Sequence, residues 1–461
     1  MTMRFGLTVG VLALLLTPAG CADESPADGG VPTTGIPFPT SGLTVTATAA
    51  DSVGDTMGVF DVGGGSGNAG DEGGDCMPTP TNATLRGTVY APNLEIPISG
   101  AVVYVTPGDA EAVPDGVYCA ECVEIPCNSD FVLTEPDGTF ELPARTGVGQ
   151  NLVVQKGQFL HVTPIDVLEG DNVIPPSDSN LPGEWNPDAG QWIPRIAVVR
   201  SPTYDRIYDL LGKIGLGQVG GNGTLNEGTE NFDIYEQAAG GALLDDIEAM
   251  RQYHIIFIPC MSQTGMGGLS QQRIDNIRQW VSEGGKWYVT DWANEYLYET
   301  FPNYQTLHGQ DFNPDLGYYD TTGIIQDPDL LAWLQALPPA LQDLGGGQPN
   351  LLSLPTVEIV DNWSGIDSTP EIIVQDDEGN DVNVGHHEWV EGTCPVCTPS
   401  NELRSMTISG EYGCGRMMFS TYHTTEDAHD GLYPQELILL YIILEIGVCH
   451  DSPPPPPPPV G

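Results

Sequence analysis

The chain has 461 residues, of which 63 are Asp or Glu against 14 Lys or Arg, for a formal net charge of -49. A charge of that sign and size repels phosphate backbones and anionic lipid, which excludes nucleic acid and acidic membrane surfaces as electrostatic partners. The length allows two or three domains with sizeable cores once tails are set aside.

Residues 1–20 have the parts of an export signal: Arg4, an apolar run over 5–16, and the small residues Ala19 and Gly20 ahead of Cys21. The run is too short to span a bilayer, so cleavage is expected. The small-small-Cys ending resembles the lipobox of bacterial lipoproteins, which implies lipidation of Cys21 and an outer-membrane or cell-surface location held through the anchor. Pro18 departs from the aliphatic residue usual in that motif, and a secreted or periplasmic protein is the alternative. The most apolar later stretch, 437–446, is about half the length needed for spanning.

Residues 21–82 are rich in Gly, Ser, Thr, Pro and Asp without Lys or Arg until the end, and their apolar residues follow no helix or strand period. Such a segment buries too little surface to offset its ordering entropy and is expected to be a disordered acidic tether. From 83 to 175, short alternating apolar runs over 84–90, 100–106, 131–134, 139–142 and 151–155 are punctuated by turns, an all-β pattern at sandwich spacing. The strings Leu85-Arg86-Gly87-Thr88-Val89-Tyr90 and Thr134-Glu135-Pro136-Asp137-Gly138-Thr139-Phe140 resemble the carboxypeptidase regulatory-like domain. That resemblance implies a seven-stranded prealbumin-like sandwich without chemistry of its own. Pro136-Asp137-Gly138 is expected to serve as a tight turn.

Residues 176–193, rich in Pro, Asn, Asp and Gly, are expected to be an interdomain linker. From 194 to 450 the period alternates between strand and helix. Strands are expected over 195–200, 254–259, 287–290 and 416–422, with helices over 204–214, 271–282 (Ser270 as N-cap) and 434–447. Repeated strand-helix-strand units predict a parallel sheet with helices on both faces. Segments 357–360, 371–375 and 403–409 are expected to form an inserted or edge β region, and 451–461 a proline-rich tail in polyproline II conformation. The expected fold class is thus multidomain: an all-β prealbumin-like sandwich followed by an α/β flavodoxin-like parallel-sheet domain, with disordered tails.

In open parallel sheets, functional groups gather beyond the carboxyl ends of strands, and Cys260, Asp291 and His423 each follow an expected strand there. The stretches Trp280-Val281-Ser282-Glu283-Gly284-Gly285 and Gly413-Cys414-Gly415-Arg416-Met417-Met418-Phe419-Ser420-Thr421-Tyr422-His423 resemble the class I glutamine-amidotransferase-like superfamily, including its trehalose-utilisation-type members. The resemblance implies a catalytic histidine at His423 with a glutamate near Glu426. Asp291, followed by Trp292, stands where that superfamily has its nucleophilic cysteine, so the usual thiolate attack is missing. The expectation is therefore a non-catalytic domain. The alternative is an amide or ester hydrolase with Cys260 as nucleophile, His423 as base and Asp291 or Glu426 orienting it.

Ten cysteines in an exported chain predict disulfides. Cys414 opens a strand and Cys449 closes the helix that returns beside it, which predicts a Cys414–Cys449 bridge. The pairs Cys119/Cys122 and Cys394/Cys397 are each CxxC and are expected to close locally. They lie in different domains without repeated spacing, so no metal and no cofactor is expected. The acidic turn 376–381 lacks the terminal bidentate Glu of an EF-hand, and calcium-dependent adhesion is a second alternative. The order of modules resembles uncharacterised Gram-negative surface lipoproteins, which implies a binding or structural role toward a carbohydrate or protein ligand, without implying any activity.

Overall fold

The computed structural model describes residues 80–119, 130–201, 204–375 and 379–445. The export signal, Cys21, the tether to residue 79, Cys122, Cys127, acidic residues 376–378, Cys449 and the proline tail lie outside the described residues. Among the described residues, no helix is long and apolar enough to cross a membrane.

Strands β1 (Ala83–Thr88), β2 (Val102–Thr106), β3 (Phe131–Leu133), β4 (Thr139–Ala144), β5 (Gly147–Lys156), β6 (Phe159–Val167), β7 (Gly170–Val173) and β8 (Gln191–Trp192) build two sheets, ordered β4-β1-β7 and β3-β2-β5-β6-β8. Strict alternation in β4 buries Phe140, Leu142 and Ala144 and exposes Thr139, Glu141 and Pro143. β2 is buried along its whole length because both its faces are covered. Val103 and Val105 join the main core with Leu152 and Val154, while Val102 and Tyr104 pack with Val153 and Leu160. At the turn before β4, Gly138 has φ 75°, and a Cβ there would come within 2.6 Å of the Val89 carbonyl oxygen, so only glycine fits.

Residues 176–193 do not behave as the expected linker. They begin with a helical turn, Pro176–Ser179, and end in β8, which pairs antiparallel with β6. Leu181 and Ile193 are buried in the sandwich core, and His161 Nδ1 is 2.8 Å from the Asn180 carbonyl oxygen. The apolar side chains scattered among the turn residues give this stretch something to bury, and they tie it down.

The second half holds β9 (Ile196–Val199), β10 (Asp233–Tyr235), β11 (Ile255–Ile258), β12 (Lys286–Thr290), β13 (Thr306–Leu307), β14 (Tyr319–Ile325), β15 (Thr356–Asn362), β16 (Ile366–Ser368), β17 (Ile373–Gln375), β18 (Asp381–Asn383), β19 (His387–Thr393), β20 (Leu403–Tyr412) and β21 (Gly415–Ser420). Nine of these form one sheet in the order β10-β9-β11-β12-β21-β20-β19-β14-β15. β10 to β21 in that order are parallel neighbours and follow the flavodoxin-like sequence second-first-third-fourth-fifth. β20, β19, β14 and β15 continue the sheet through antiparallel pairing. The expected parallel sheet is therefore mixed: two of the segments expected as an inserted or edge region, 357–360 and 403–409, lie in β15 and β20 and extend it together with β14 and β19, whereas 371–375 lies in β17, which pairs with β18 in a separate two-stranded sheet. The cause is local, since the short connection from β20 to β21, with Gly413 at φ 61°, makes a hairpin and reverses the chain.

The sheet's two faces carry separate cores. Ile196, Val198, Phe257, Tyr288 and Met418 face one core, while Ala197, Val199, Ile258, Val289 and Phe419 face the other. On the second face sits helix Gln271–Ser282, capped by Ser270 Oγ accepting from Arg273 N and inserting Ile277, Trp280 and Val281. On the first face, helix Pro434–Glu445 buries Leu437 through Leu444 and belongs to the same core as the sandwich. Trp333, in helix Pro328–Ala336, stacks near Tyr441 and donates its indole N–H to the Pro97 carbonyl at 2.8 Å, so the sandwich and the large sheet share one interior.

At the amino edge of the sheet the loop after β2 crosses over from the sandwich. Val117 N donates to the Arg251 carbonyl at 2.9 Å, and Asp115 pairs with Arg195 at 2.7 Å. The loop brings Cys119 to Cys414, and these two form a disulfide with a Cα separation of 5.1 Å. The expected Cys414–Cys449 and Cys119–Cys122 bridges are corrected accordingly. Strand-helix geometry placed the helix end near Cys414 but took no account of a third segment arriving from the sandwich. Cys394 and Cys397 are joined to each other. Peptide mapping without reduction is expected to recover a 119–414 linked peptide, and Cys414→Ser to lower stability by about 2–4 kcal/mol in urea unfolding. A 414–449 linked peptide would contradict this pairing.

The same edge buries Lys286, whose Nζ has no hydrogen-bond partner. Burial, helped by nearby Arg416, holds its pKa down to about 7. Beside it His254 accepts from Arg195 N at Nδ1 (2.7 Å) and donates from Nε2 to the Pro114 carbonyl (3.1 Å), so it is neutral. Between the folded value for Lys286 and its unfolded value of 10.5 the unfolded chain binds the extra proton. Stability contributed by this residue therefore rises with pH across that window, by about 1.4 kcal/mol per pH unit. Lys286→Met is expected to stabilise the fold at pH 7 and to lose most of that gain by pH 10, as read from denaturant midpoints at the two pH values.

Candidate functional site

The carboxyl edge of the parallel strands collects the three residues expected there. Cys260 follows β11, Asp291 follows β12, and His423 follows β21; all three are completely buried. One Cys260 sulfur, one Asp291 carboxylate oxygen and one His423 ring nitrogen lie within 4.8 Å of one another. His423 Nδ1 donates to Asp291 Oδ2 at 2.8 Å, because an ionised carboxylate only accepts. The other ring nitrogen, Nε2, has no hydrogen-bond partner although it is buried. Asp291 has φ 51°, which a non-glycine residue adopts only where a turn demands it, and a short 3-10 turn begins at once with Trp292. The chain thus bends sharply from strand to 3-10 turn with a carboxylate at the bend.

The frame behind these residues centres on Asp205, just beyond β9. Its Oδ2 accepts from Thr290 Oγ1 at 2.6 Å and from Cys260 N at 3.3 Å; its Oδ1 accepts from Thr424 Oγ1 at 2.6 Å and Thr424 N at 3.3 Å. One carboxylate thereby ties together the ends of β11, β12 and β21. Ser201 Oγ donates to the Cys260 carbonyl at 2.8 Å, and Gln435 Nε2 to the His423 carbonyl at 2.6 Å, so both backbones are anchored by side chains from other segments. Sequence reasoning missed Asp205. The strand-end rule that selected Cys260, Asp291 and His423 applies equally to the segment after β9, and Ser201 and Asp205 were the polar residues there.

The antiparallel half of the sheet closes the site. Trp363, one residue past β15, donates its backbone N–H to Asp291 Oδ1 at 3.0 Å, and its ring meets Trp292 edge-on at 5.2 Å and Tyr318 at 5.5 Å. Both oxygens of Asp291 are therefore engaged. No sequence signal placed Trp363 here, because it arrives through pairing with distant strands. Glu426, the other expected site residue, is half-buried and stands outside the group whose donor atoms meet. Chemically, the arrangement holds a thiol and an imidazole fixed by a carboxylate, all three buried among the described residues. Two surface cavities, of about 690 Å³ on the sandwich and about 470 Å³ beside β14 and β15, are lined by other residues.

No protein-family model matches the chain, and no curated protein matches it. Among solved structures, a ThuA-like protein from Bacteroides uniformis is 10% identical, the match covering 55% of this chain and 90% of that one at a TM-score of 0.33. A ThuA-like protein from Parabacteroides merdae is 10% identical over 55% of this chain and 88% of that one, with a TM-score of 0.29. A cytoplasmic protein from Salmonella typhimurium is 10% identical over 56% of this chain and 100% of its own, with a TM-score of 0.30. At these scores the likenesses carry nothing about activity.

Asp205 is expected to be a stability residue. Thr290→Val, which removes one donor to its carboxylate, should cost roughly 1.5–3 kcal/mol, and Asp205→Ala, which strands three donors while Cys260 N keeps its 2.9 Å bond to Thr290 Oγ1, should cost more. Urea unfolding monitored by tryptophan fluorescence measures both, and a cost for Asp205→Ala below that of Thr290→Val would contradict the account.

Proposed function

We propose that this chain is an exported, lipid-anchored envelope protein whose folded part binds a ligand and does not catalyse a reaction. The observation that carries the reading is the complete burial of Cys260, Asp291 and His423 at the edge where catalysis would have to occur. Enzymes of open α/β folds work in a crevice at that edge, and here the crevice is filled by Asp205 and covered by Trp363. The signal segment and Cys21 support the export part of the reading. So do two disulfides among the described residues, since such bonds persist in oxidising compartments.

The sandwich offers the open surface. Its cavity of about 690 Å³ mixes polar side chains, Asp109, Asp130, Arg145 and Gln150, with apolar Pro107 and the strongly exposed Val148. Polar groups beside apolar area suit a carbohydrate or a protein segment, the two ligand classes the module order suggests.

One observation favours a second reading, a cysteine-dependent amide or ester hydrolase: His423 is fixed by Asp291 at 2.8 Å with the Cys260 sulfur close by. Thiol alkylation by iodoacetamide, mapped by mass spectrometry, separates the two. Binding without catalysis predicts that Cys260 stays unmodified in the native chain and is modified after denaturation. Rapid native labelling of Cys260 that His423→Ala abolishes would sink the non-catalytic reading in favour of the hydrolase.

A further inference from the structure

We infer that Cys260, Asp291 and His423 form a buried site for one divalent transition metal, and that zinc is the ion it fits. The residues that fail as an open catalytic triad succeed as a ligand set. A thiolate sulfur, an imidazole nitrogen and a carboxylate oxygen are the three donor types that zinc accepts together, whereas calcium and magnesium require oxygen donors throughout. Their donor atoms lie within 4.8 Å of one another, and no other group of three His, Cys, Asp or Glu side chains among the described residues meets that condition. Tetrahedral zinc with bonds of about 2.0–2.3 Å would hold its donors roughly 3.3–3.6 Å apart, so the present spacing needs at most about 1.5 Å of closure.

One further observation points to a ligand. His423 Nδ1 and Asp291 Oδ2 already face each other at 2.8 Å, close to the separation two zinc ligands take, so the ion replaces the proton between them and the neutral imidazole carries its remaining proton on Nε2. Charge gives the same answer: a thiolate, a carboxylate and a neutral imidazole together balance a dication, so the occupied site is neutral. The deprotonation of the Cys260 thiol that this needs releases one proton to solvent as the metal enters.

The surroundings are built for holding. Asp205 and Ser201 fix the Cys260 backbone, Gln435 fixes that of His423, and Trp363 N–H steadies Asp291. Because the site has no open face, the ion would be acquired during folding and would act as a clamp on three strand ends. This inference is independent of the binding reading above, since a metal clamp and an unreactive Cys260 are measured separately.

The test uses the full chain purified without chelators, with zinc as the probe. Elemental analysis is expected to find about one zinc per chain, X-ray absorption at the zinc edge to show one sulfur among nitrogen and oxygen neighbours, and Cys260→Ser to lose at least about tenfold in zinc affinity. Stripping the metal should lower the melting temperature, and adding zinc back should restore it. If Cys260→Ser does not fold, the absorption spectrum of the unaltered chain still decides. Less than about a tenth of an equivalent of metal after dialysis against zinc would overturn the inference. So would a bound zinc with no sulfur ligand, one with two or more, which would place it on other cysteines, or one that Cys260→Ser retains at unchanged affinity.

Discussion

The arrangement of the α/β half depends on one buried carboxylate. Asp205 is 1% exposed and accepts hydrogen bonds from residues following three different strands. A parallel sheet delivers all its strand ends to one edge, and their unpaired backbone and side-chain donors must find acceptors away from water. A single Asp with two oxygens on the loop after β9 meets that demand for Cys260, Thr290 and Thr424 at once. The spacing of Cys260, Asp291 and His423 follows from it, because each sits next to, or at, an atom that Asp205 holds.

In a flavodoxin-like strand order the crevice opens between the first and third strands, the point where chain connections diverge to opposite faces. Here those strands are β9 and β11, and the two residues placed at that point are Asp205 and Cys260. The usual ligand position is thus occupied by the protein's own carboxylate. The antiparallel extension completes the closure from the other side, since β15 delivers Trp363 to Asp291 and Gln435 joins the β15 backbone at Val360 to His423. What in an open α/β protein would be a mouth is here, among the described residues, an interior.

Legibility in the sequence tracked the range of the interactions. The helix Gln271–Ser282, with its Ser270 cap and the glycine stop after it, was readable because cap, amphipathic face and stop lie within sixteen residues. The strand-end positions of Cys260, Asp291 and His423 were readable for the same reason, as apolar runs of four to six residues end just before them. Cys119 pairing with Cys414, separated by 295 residues, was not, because nothing local to either cysteine encodes the loop that crosses the sheet edge. The supposed linker failed for a subtler cause. Its Pro, Asn and Gly content describes turns correctly, but Leu181 and Ile193 decide where those turns lie, and two buried residues leave little trace in composition.

The shared core changes what the sandwich can be. Helix Pro434–Glu445 is apolar nearly all round because it is covered on one side by the sheet and on others by Trp333, Trp389 and the sandwich, a pattern that would be unstable in water. The lobes are joined by burial, by hydrogen bonds such as Trp333 Nε1 to the Pro97 carbonyl and Val117 N to the Arg251 carbonyl, by the Asp115–Arg195 ion pair and by a disulfide. Such a joint is rigid, since packed side chains do not deform continuously. Under the proposed binding role, a ligand on the sandwich would meet a platform whose orientation is set by the large sheet. Sealing the strand-end site serves the same purpose, for it removes a crevice about which the sheet could open.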